Sequence, residues 1–530
     1  MNREYDIVVV GAGHNALTTA AYLQKSGLKV VVIDRLNEVG GGLVSPELYA
    51  GCVFNNHAMV HNFGSDAQPI RDLELSKYGG EYITPPAGLG SPYKDGKALV
   101  LYSDIARTCK ELERRSKADS EMYSHFQQFH DLVLAHHFSP ALPEDEWRSK
   151  FVKKWGDIGE EYFDFQSASA FDVVDQSFED EKVKLLLLLS VAAARAKDVR
   201  NGTGFVALRK LVRGHRASLV KGGVSRMAEA FAKLIRTNGG EIITGKTVTK
   251  IEVKDGEARG VYLDDGSFIG ARKAVVSGID PVQTYIKLVG RDHLDKNFAQ
   301  KIEQWKWNDW TLFVGHIVSK EPPHFTASKD NPDIDKTFQL FIGYESIADL
   351  QEHWQELARY EPPSSPRPEA FCFTAHDPSQ GREGHHTITF AQFVPYNPLK
   401  KSSEEWNALK EQYLASCIDS WAPYAPNIRK ENIVFKQAVT PYDVENTIIN
   451  MVHADAHQGG LLGGQIGVGR QATRAPVNKL YLCGSCCHPG GTITYAPGYI
   501  CANIVAEDLK IKKWWPMPEY LKGFTTMNWN

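Results

Sequence analysis

The sequence predicts an α/β protein in which a parallel-sheet domain is interleaved with a second, α+β domain. Three blocks predict the parallel sheet: a strand and glycine turn at the start of the chain, a helix and several strands within 221–277, and a short strand and helix after residue 480. Long amphipathic segments lie between these blocks. Because 530 residues exceed what one hydrophobic core organises, two domains are expected.

The first block is built as a strand, a glycine turn and a helix. The apolar run 7–10 is typical of a parallel strand buried on both faces, and it ends at Gly11. Gly11 allows a tight turn, and Gly13 lets the backbone approach a pyrophosphate. A helix is predicted from near His14, with Ala16 in the position of a third glycine. The free N–H groups of its first turn would face a diphosphate.

The second strand, residues 29–33, ends at Asp34, about twenty residues past the glycine turn. A carboxylate at this place accepts the hydroxyls of an adenosine ribose and favours a ribose without a phosphate. The glycine pattern recurs at 467–472, but no apolar strand precedes that copy. We therefore predict a dinucleotide site at the first copy and a loop at the second.

A further glycine stretch, Gly40-Gly41-Gly42, follows shortly after Asp34-Arg35. The string at 9–17, together with Asp34-Arg35 and the three glycines, resembles the phytoene desaturase-like branch of the FAD-dependent amine oxidase superfamily. The resemblance implies FAD as the cofactor and a p-hydroxybenzoate hydroxylase-like fold, in which the glycine pair leads the chain along the flavin. The family often has Arg after the pair, whereas this chain has Gly42 or Leu43. The flavin contact made by that Arg is therefore not expected here.

Two later blocks are predicted to complete the FAD-binding domain, which is assigned to 1–65, 216–285 and 476–512. The middle block reads as a helix at 227–237 followed by antiparallel strands, and in the family the backbone at the Val248 position pairs with adenine. The last block has a turn at Gly484-Ser485, then His488-Pro489-Gly490-Gly491, which resembles a family segment that passes the flavin before the last helix. A helix N-terminus aimed there would stabilise negative charge on reduced flavin.

Residues 66–215 and 286–475 are assigned to the substrate or cap domain. The first range is predicted to be mainly helical, with amphipathic segments at 119–135 and 180–196. The apolar run from Leu185 is interrupted at Ser190 and is shorter than the roughly 20 residues that span a bilayer. A buried cap helix is favoured over a helix on a membrane surface. The run 305–314 predicts a strand with one aromatic face.

Composition and charge narrow the partners and the compartment. Lys+Arg 60 against Asp+Glu 64 gives a net charge of −4, so nucleic acid is not an expected partner. No charged, apolar leader precedes the first strand, and the eight cysteines show no zinc spacing. We expect no metal and a cytoplasmic protein, with peripheral membrane contact left open.

The C-terminal tail, 513–530, contains Trp514 and Trp515 directly after three lysines within 510–513. This pattern suits an interfacial foot that collects a lipophilic substrate from a membrane. Packing on a neighbouring domain or on another protein chain is the alternative, so a homo- or hetero-oligomer also stays open.

The predicted function is that of an FAD-dependent oxidoreductase that dehydrogenates a hydrophobic substrate by hydride transfer to flavin N5. The resemblance implies an isoprenoid-like substrate that is desaturated or activated at an allylic carbon. A flavin amine oxidase, with Tyr495 in an aromatic cage, is one alternative. Another is a non-catalytic lipid- or prenyl-binding protein like the Rab GDP-dissociation inhibitors, against which the intact Gly11, Gly13 and Asp34 argue. The electron acceptor stays open between a quinone, oxygen and a carrier protein.

Three residues are candidates for catalysis. His57 lies on the stretch after the glycine turn, and a base poised near neutrality would suit the loss of a proton that follows hydride removal. His488 is the second candidate and Tyr495 the third, although a histidine in a loop often serves structure alone. The candidate cofactor-binding residues are Gly11, Gly13, His14, Asn15, Ala16, Asp34, Arg35, Gly41, Gly42, Leu43, Val44, Val248, Gly484, Ser485, Thr492 and Ile493.

Overall fold

A computed structural model describes residues 3–191, 202–462 and 464–529. The strands, numbered β1 to β18 in chain order, are Arg3–Val10, Val30–Ile33, Glu47–Tyr49, Cys52–Val53, Tyr82–Ile83, Ala87–Pro92, Ala98–Tyr102, Leu219–Val220, Glu241–Ile243, Val248–Lys254, Glu257–Leu263, Phe268–Ser277, Trp310–Ser319, Gln339–Phe341, Glu369–Cys372, His386–Pro395, Ile433–Val439 and Leu480–Leu482. The helices, numbered α1 to α16, are His14–Lys25, Gln68–Asp72, Ile105–Glu113, Lys117–Phe126, His130–Phe138, Glu144–Trp155, Asp157–Ser167, Ala170–Ser177, Glu181–Ser190, Gly204–Arg213, Ser225–Thr237, Lys296–Glu303, Ile347–Ala358, Trp406–Asp419, Pro441–Thr447 and Ala496–Asp508.

The first sheet forms the Rossmann-like core and has the strand order β10-β11-β12-β1-β2-β9, with β18 also paired to β12. Strands β12, β1, β2 and β9 run parallel, and β10 and β11 join them as an antiparallel extension. The predicted α/β fold is confirmed. These strands come from the three segments assigned to the cofactor domain, whose limits stay a prediction.

The strand, turn and helix at the start of the chain form as predicted. All four residues of the run 7–10 are almost fully buried, because β1 is covered on both faces and paired on both edges. Helix α1 begins at His14 and packs closely on α16. A Cβ added to Gly498 of α16 would lie 2.2 Å from the carbonyl oxygen of Asn15. The contact therefore requires glycine there, and it holds the last helix against the first turn of α1.

The second sheet belongs to the substrate domain and has the strand order β17-β13-β16-β15-β14-β6-β7. Strand β13 begins only at Trp310, so the prediction of a strand from Trp305 is wrong for 305–309. Trp305 is buried, and its indole N–H donates to the carbonyl oxygen of Gln458 at 3.0 Å. The tryptophan therefore anchors the loop that precedes the strand instead of extending its aromatic face.

The first part of the cap is mainly helical, as predicted, and is built from α2 to α10. The predicted amphipathic segment 119–135 is divided between α4 and α5 by a single 3₁₀ turn at 127–129. The apolar run at 185–189 is buried in α9, while 192–196 lie outside the described residues. Among the helices of the described ranges, none has the length and apolar character needed to cross a bilayer.

The C-terminal tail packs on the chain itself. Trp514 stacks on Tyr22 with 5.5 Å between ring centroids. Trp515 is 2% exposed, and its indole N–H donates to the side-chain oxygen of Asn503 at 3.1 Å. Both rings therefore cover α1 and α16, and this packing favours the intramolecular alternative over a membrane foot made by these two residues.

Candidate active site

A large cavity lies between the glycine turn of the first sheet and one face of the second sheet. Its empty space, counted to the open mouth, is about 1410 Å³, which exceeds that of a typical small-molecule pocket. The structure brings most of the predicted cofactor residues to this cavity together with one catalytic candidate. Those lining it are Gly13, His14, Asn15, Ala16, Gly41, Gly42, Leu43, His57, Ser485, Thr492 and Ile493.

The two glycine stretches meet beside this cavity. Gly11 has a φ of +87°, a conformation that favours glycine. The N–H of Gly40 donates to the carbonyl oxygen of Ala12 at 2.8 Å. A Cβ on Gly41 would lie 3.2 Å from the Cα of Gly13, whereas a Cβ on Gly13 would meet no atom within 4 Å. The turn is therefore tightly packed from behind and open in front of helix α1, where a diphosphate is expected.

Asp34 holds the turn from the end of β2. Its carboxylate accepts from the N–H of Ala12 at 2.6 Å and from the N–H of Leu36 at 2.8 Å. Burial raises the pKa of Asp34, although these N–H donors oppose that shift. Asp34 does not line the cavity in the described residues, so its ribose contact stays a prediction. Arg35 is exposed and donates to the carbonyl oxygen of Thr447.

The segment before α16 has strained backbone at the cavity wall. Thr492, Ile493 and Tyr495 have φ values of +78°, +54° and +60°. Non-glycine residues rarely adopt this region, and such strain clusters at ligand sites. In the described part of the chain, the hydroxyl of Thr492 and the side-chain oxygen of Asn15 are buried without a hydrogen-bond partner. Open space at the turn and unpaired polar atoms beside it fit a dinucleotide cofactor such as FAD.

The histidines around the cavity are neutral at physiological pH. Burial lowers the pKa of His14 and of His57 to about 4, and that of His61 to about 3. The expectation of a base poised near neutrality is therefore wrong for His57. The imidazole lines the cavity in its neutral form and is a weaker proton acceptor than predicted.

Tyr495 lies beneath the cavity wall and is not among its lining residues. Its hydroxyl shares a hydrogen bond with the hydroxyl of Tyr82 at 2.7 Å, and the Tyr82 hydroxyl is 2.6 Å from Nδ1 of His61. The Tyr495 ring meets the edge of the His14 ring at 5.6 Å. These contacts assign Tyr495 to a buried network, and they do not favour direct contact with a substrate.

His488 is also placed away from this cavity, where it lines a different, smaller one. Its Nε2 donates to the carbonyl oxygen of His136 at 2.9 Å, and its ring packs on Trp147. Burial lowers the pKa of His488 to about 4. The position favours the structural alternative for His488 over a catalytic one.

The remaining predicted cofactor residues lie behind the lining. Val44 is half-buried between the glycine stretch and β3, and Val248 begins strand β10 opposite Leu263. A Cβ on Gly484 would lie 2.2 Å from the side-chain oxygen of Gln458. Gly484 is therefore covered by Gln458, which itself lines the cavity. Cofactor contacts by Val44, Val248 and Gly484 stay predictions.

Sequence reasoning missed the wall that faces the turn. Alternate residues on β14 and β15 share one face, so Gln339 with Phe341 and Glu369 with Phe371 all line the cavity. Helix α10 adds Arg209 and Lys210. The period-two pattern of 369–371 was the available signal, but nothing in the sequence linked that strand to the glycine turn. The other lining residues that were not predicted include Met59, Val60, Asn62, Leu189, Ser190, Leu312, Phe393, Ile448, Asn450, Met451, His457 and Gln458.

Known proteins match both the turn and the whole chain. Residues 9–73 match the NAD(P)-binding Rossmann-like domain. One of the polypeptides of the limonene dehydrogenase of Castellaniella defragrans is 27% identical over 98% of this chain and 97% of its own length. The neurosporene-forming phytoene desaturase of Rhodobacter capsulatus is 26% identical over 59% of each chain. A putrescine oxidase structure has a TM-score of 0.58 at 16% identity and covers 96% of this chain and 100% of its own, which shows a shared fold.

These similarities confirm three predictions made from the sequence. The dinucleotide-binding turn lies where the glycine pattern predicted it. The cofactor is FAD, and the protein is an oxidoreductase of the desaturase and dehydrogenase type. Within the residues that the structure describes, no group of three or more His, Cys, Asp or Glu side chains is arranged to hold a metal ion.

Proposed function

We propose that this chain, which belongs to the phytoene desaturase-like branch of the FAD-dependent amine oxidase superfamily, dehydrogenates an isoprenoid-like substrate in the cavity between its two sheets. The observation that carries the proposal is that a single cavity joins the cofactor turn to an apolar wall. The apolar side chains of that wall are Met59, Val60, Leu189, Leu312, Phe341, Phe371, Phe393, Ile448 and Met451.

Bound FAD supplies the oxidant, because its N5 accepts the hydride that leaves the substrate carbon. The chain contributes position and seclusion. The apolar wall excludes water and holds a hydrocarbon skeleton in a fixed orientation, which suits a C–H bond with few groups for an enzyme to polarise. Helix α16 begins at Ala496 directly after the strained loop, so its positive N-terminal end lies beside Thr492 and Ile493.

We assign to His57 the proton that leaves after hydride removal. Its neutral imidazole lines the cavity and is close to the second glycine stretch, since a Cβ on Gly42 would be 3.9 Å from the Cβ of His57. A pKa lowered to about 4 keeps this imidazole unprotonated at neutral pH. It can therefore receive a strongly acidic proton, such as that beside an allylic cation, or orient a water molecule that does so.

Replacing His57 with alanine is expected to lower turnover about 100-fold while leaving FAD content unchanged, because general-base assistance contributes on that order. FAD content, the reductive half-reaction and the product are measured separately. His293→Ala is the matched control, since His293 is exposed and does not line the cavity. Turnover of the His57 variant at the wild-type rate across the pH range would remove this role.

The substrate class is tested by anaerobic mixing of the purified protein with terpenes, carotenoid precursors and amines while the oxidised flavin band is followed. Bleaching by a terpene or carotenoid precursor is the expected result. Bleaching by amines alone would replace the proposal with an amine oxidase, the alternative that the putrescine oxidase fold keeps open. Tyr495 does not line the cavity, so the aromatic cage expected for that alternative lacks its predicted member.

The electron acceptor, peripheral membrane contact, cytoplasmic location and oligomeric state remain proposals. A quinone, oxygen or a carrier protein would suit the acceptor role equally. Because Trp514 and Trp515 cover α1 and α16, any membrane contact would have to use other residues.

A further inference from the structure

Two ionisable side chains project into the otherwise apolar wall of the cavity. Lys210 belongs to α10 and Glu369 to β15, and both line the cavity. Glu369 is paired with Phe341 across the sheet, so the carboxylate stands among the phenyl rings that would hold a hydrocarbon. Neither residue belongs to the glycine turn or to the loop before α16, and FAD binding therefore does not explain them.

The contacts of the pair leave hydrogen-bonding capacity toward the cavity. Gln339 donates its side-chain N–H to Oε1 of Glu369 and so fixes the orientation of that carboxylate. In the part of the chain that the structure describes, no hydrogen bond or ion pair reaches the ammonium of Lys210, which interacts with Glu369 at longer range. The ammonium donors and Oε2 of Glu369 therefore remain for a third partner.

Keeping these charges out of water has a cost. Burial lowers the pKa of Lys210 to about 8 and raises the pKa of Glu369, although each charge stabilises the other. A pure hydrocarbon would leave both groups desolvated without a hydrogen bond, which is costly. The pair is thus better explained by a ligand with a polar group than by a ligand with none.

The chemistry of the pair selects that group. A carboxylate would be repelled by Glu369, and an ammonium would be repelled by Lys210. A carbonyl could accept from Lys210 but would give nothing to Glu369. A hydroxyl accepts from the ammonium and donates to the carboxylate, and it is neutral, as is the pair as a whole.

We propose that Lys210 and Glu369 bind the hydroxyl group of an otherwise apolar substrate, so that the preferred substrate is a terpenoid alcohol. The inference rests on the proposed function and names its substrate class more narrowly. Gln339 acts as a positioning residue that holds the Glu369 carboxylate toward the cavity.

The test compares limonene with perillyl alcohol, which has the same skeleton and one added hydroxyl. Equilibrium binding to the oxidised holoenzyme is measured by calorimetry and by the change in the flavin spectrum, with no turnover required. The wild type is expected to bind the alcohol at least about 10-fold more tightly, the order for a hydrogen bond to a charged group. Lys210→Met and Glu369→Gln are expected to remove most of this preference while keeping affinity for limonene.

Lys233→Met is the matched control, because Lys233 is exposed on α11 and distant in sequence from the cavity wall. Should Lys210→Met fail to fold, Glu369→Gln carries the test alone, since it preserves shape and removes only the charge. Equal affinities of the wild type for the two terpenes, or a preference that survives both substitutions, would overturn the inference and leave the proposed function standing. Absence of binding and bleaching by every terpene, with bleaching by amines, would overturn both.

Discussion

Replacing Gly13 with leucine is expected to abolish FAD binding while leaving the fold intact. Gly13 has a φ of −68° and ψ of 161°, a conformation open to any residue, and a Cβ there would meet no atom within 4 Å. A leucine side chain would therefore fill the space in front of α1 without disturbing its neighbours. That space is where the diphosphate meets the N–H groups of the helix, so we expect the Kd for FAD to rise about 100-fold or more.

The measurement is the ratio of flavin to protein after purification and after incubation with excess FAD, beside a far-ultraviolet circular dichroism spectrum. Gly13→Ala is the control, because a single methyl group reaches less far into the same space. The graded order wild type, alanine, leucine is expected for FAD content. A folded leucine variant with a full complement of flavin would show that the cofactor does not lie at this turn.

The free energy of unfolding is expected to fall steeply as pH decreases from about 6.5. His14, His57 and His488 have pKa values lowered to about 4 by burial, and His61 to about 3. In the unfolded chain these imidazoles titrate near 6.5, so below that pH the unfolded state binds more protons than the folded state. Their contribution is present above pH 6.5 and is lost as pH falls toward 4, at up to about 1.4 kcal/mol per pH unit for each group.

Urea unfolding at several pH values between 7.5 and 4.5 tests this expectation. Buried carboxyl groups with raised pKa values, such as Asp34 and Asp280, act in the opposite direction at the acid end, so the slope is clearest above pH 5. His488→Gln lies outside the proposed active cavity and should reduce the slope by about one proton. An unfolding free energy that does not change between pH 6.5 and 5 would contradict the neutral, buried state of these histidines.

The cofactor half of the site was predictable because its chemistry is local in the sequence. A buried strand, Gly11, Gly13 and a helix start specify a phosphate turn within ten residues, and Asp34 follows at a fixed spacing. Asp34 nevertheless has a role that spacing alone did not reveal. Its carboxylate accepts N–H groups from Ala12 and Leu36, and this holds the turn in shape.

The substrate half was not predictable because it depends on contacts between distant segments. Lys210 and Glu369 are 159 residues apart in the numbering and meet at the cavity only because α10 packs under the second sheet. His57 was correctly placed at the cavity, but its pKa depends on burial, which residue order does not give. His488 was expected near the flavin by resemblance, yet packing against His136 and Trp147 directs its ring elsewhere.

A crystal structure of the FAD-bound protein tests the central claim most directly, namely that one cavity holds the flavin against the apolar wall. We predict that the diphosphate lies in front of α1 beside Gly13, and that the isoalloxazine ring lies between the 41–43 stretch and Thr492-Ile493. The buried side-chain oxygens of Asn15 and Thr492 should then gain hydrogen-bond partners. A flavin bound outside this cavity, with those two oxygens still unpaired, would contradict the account.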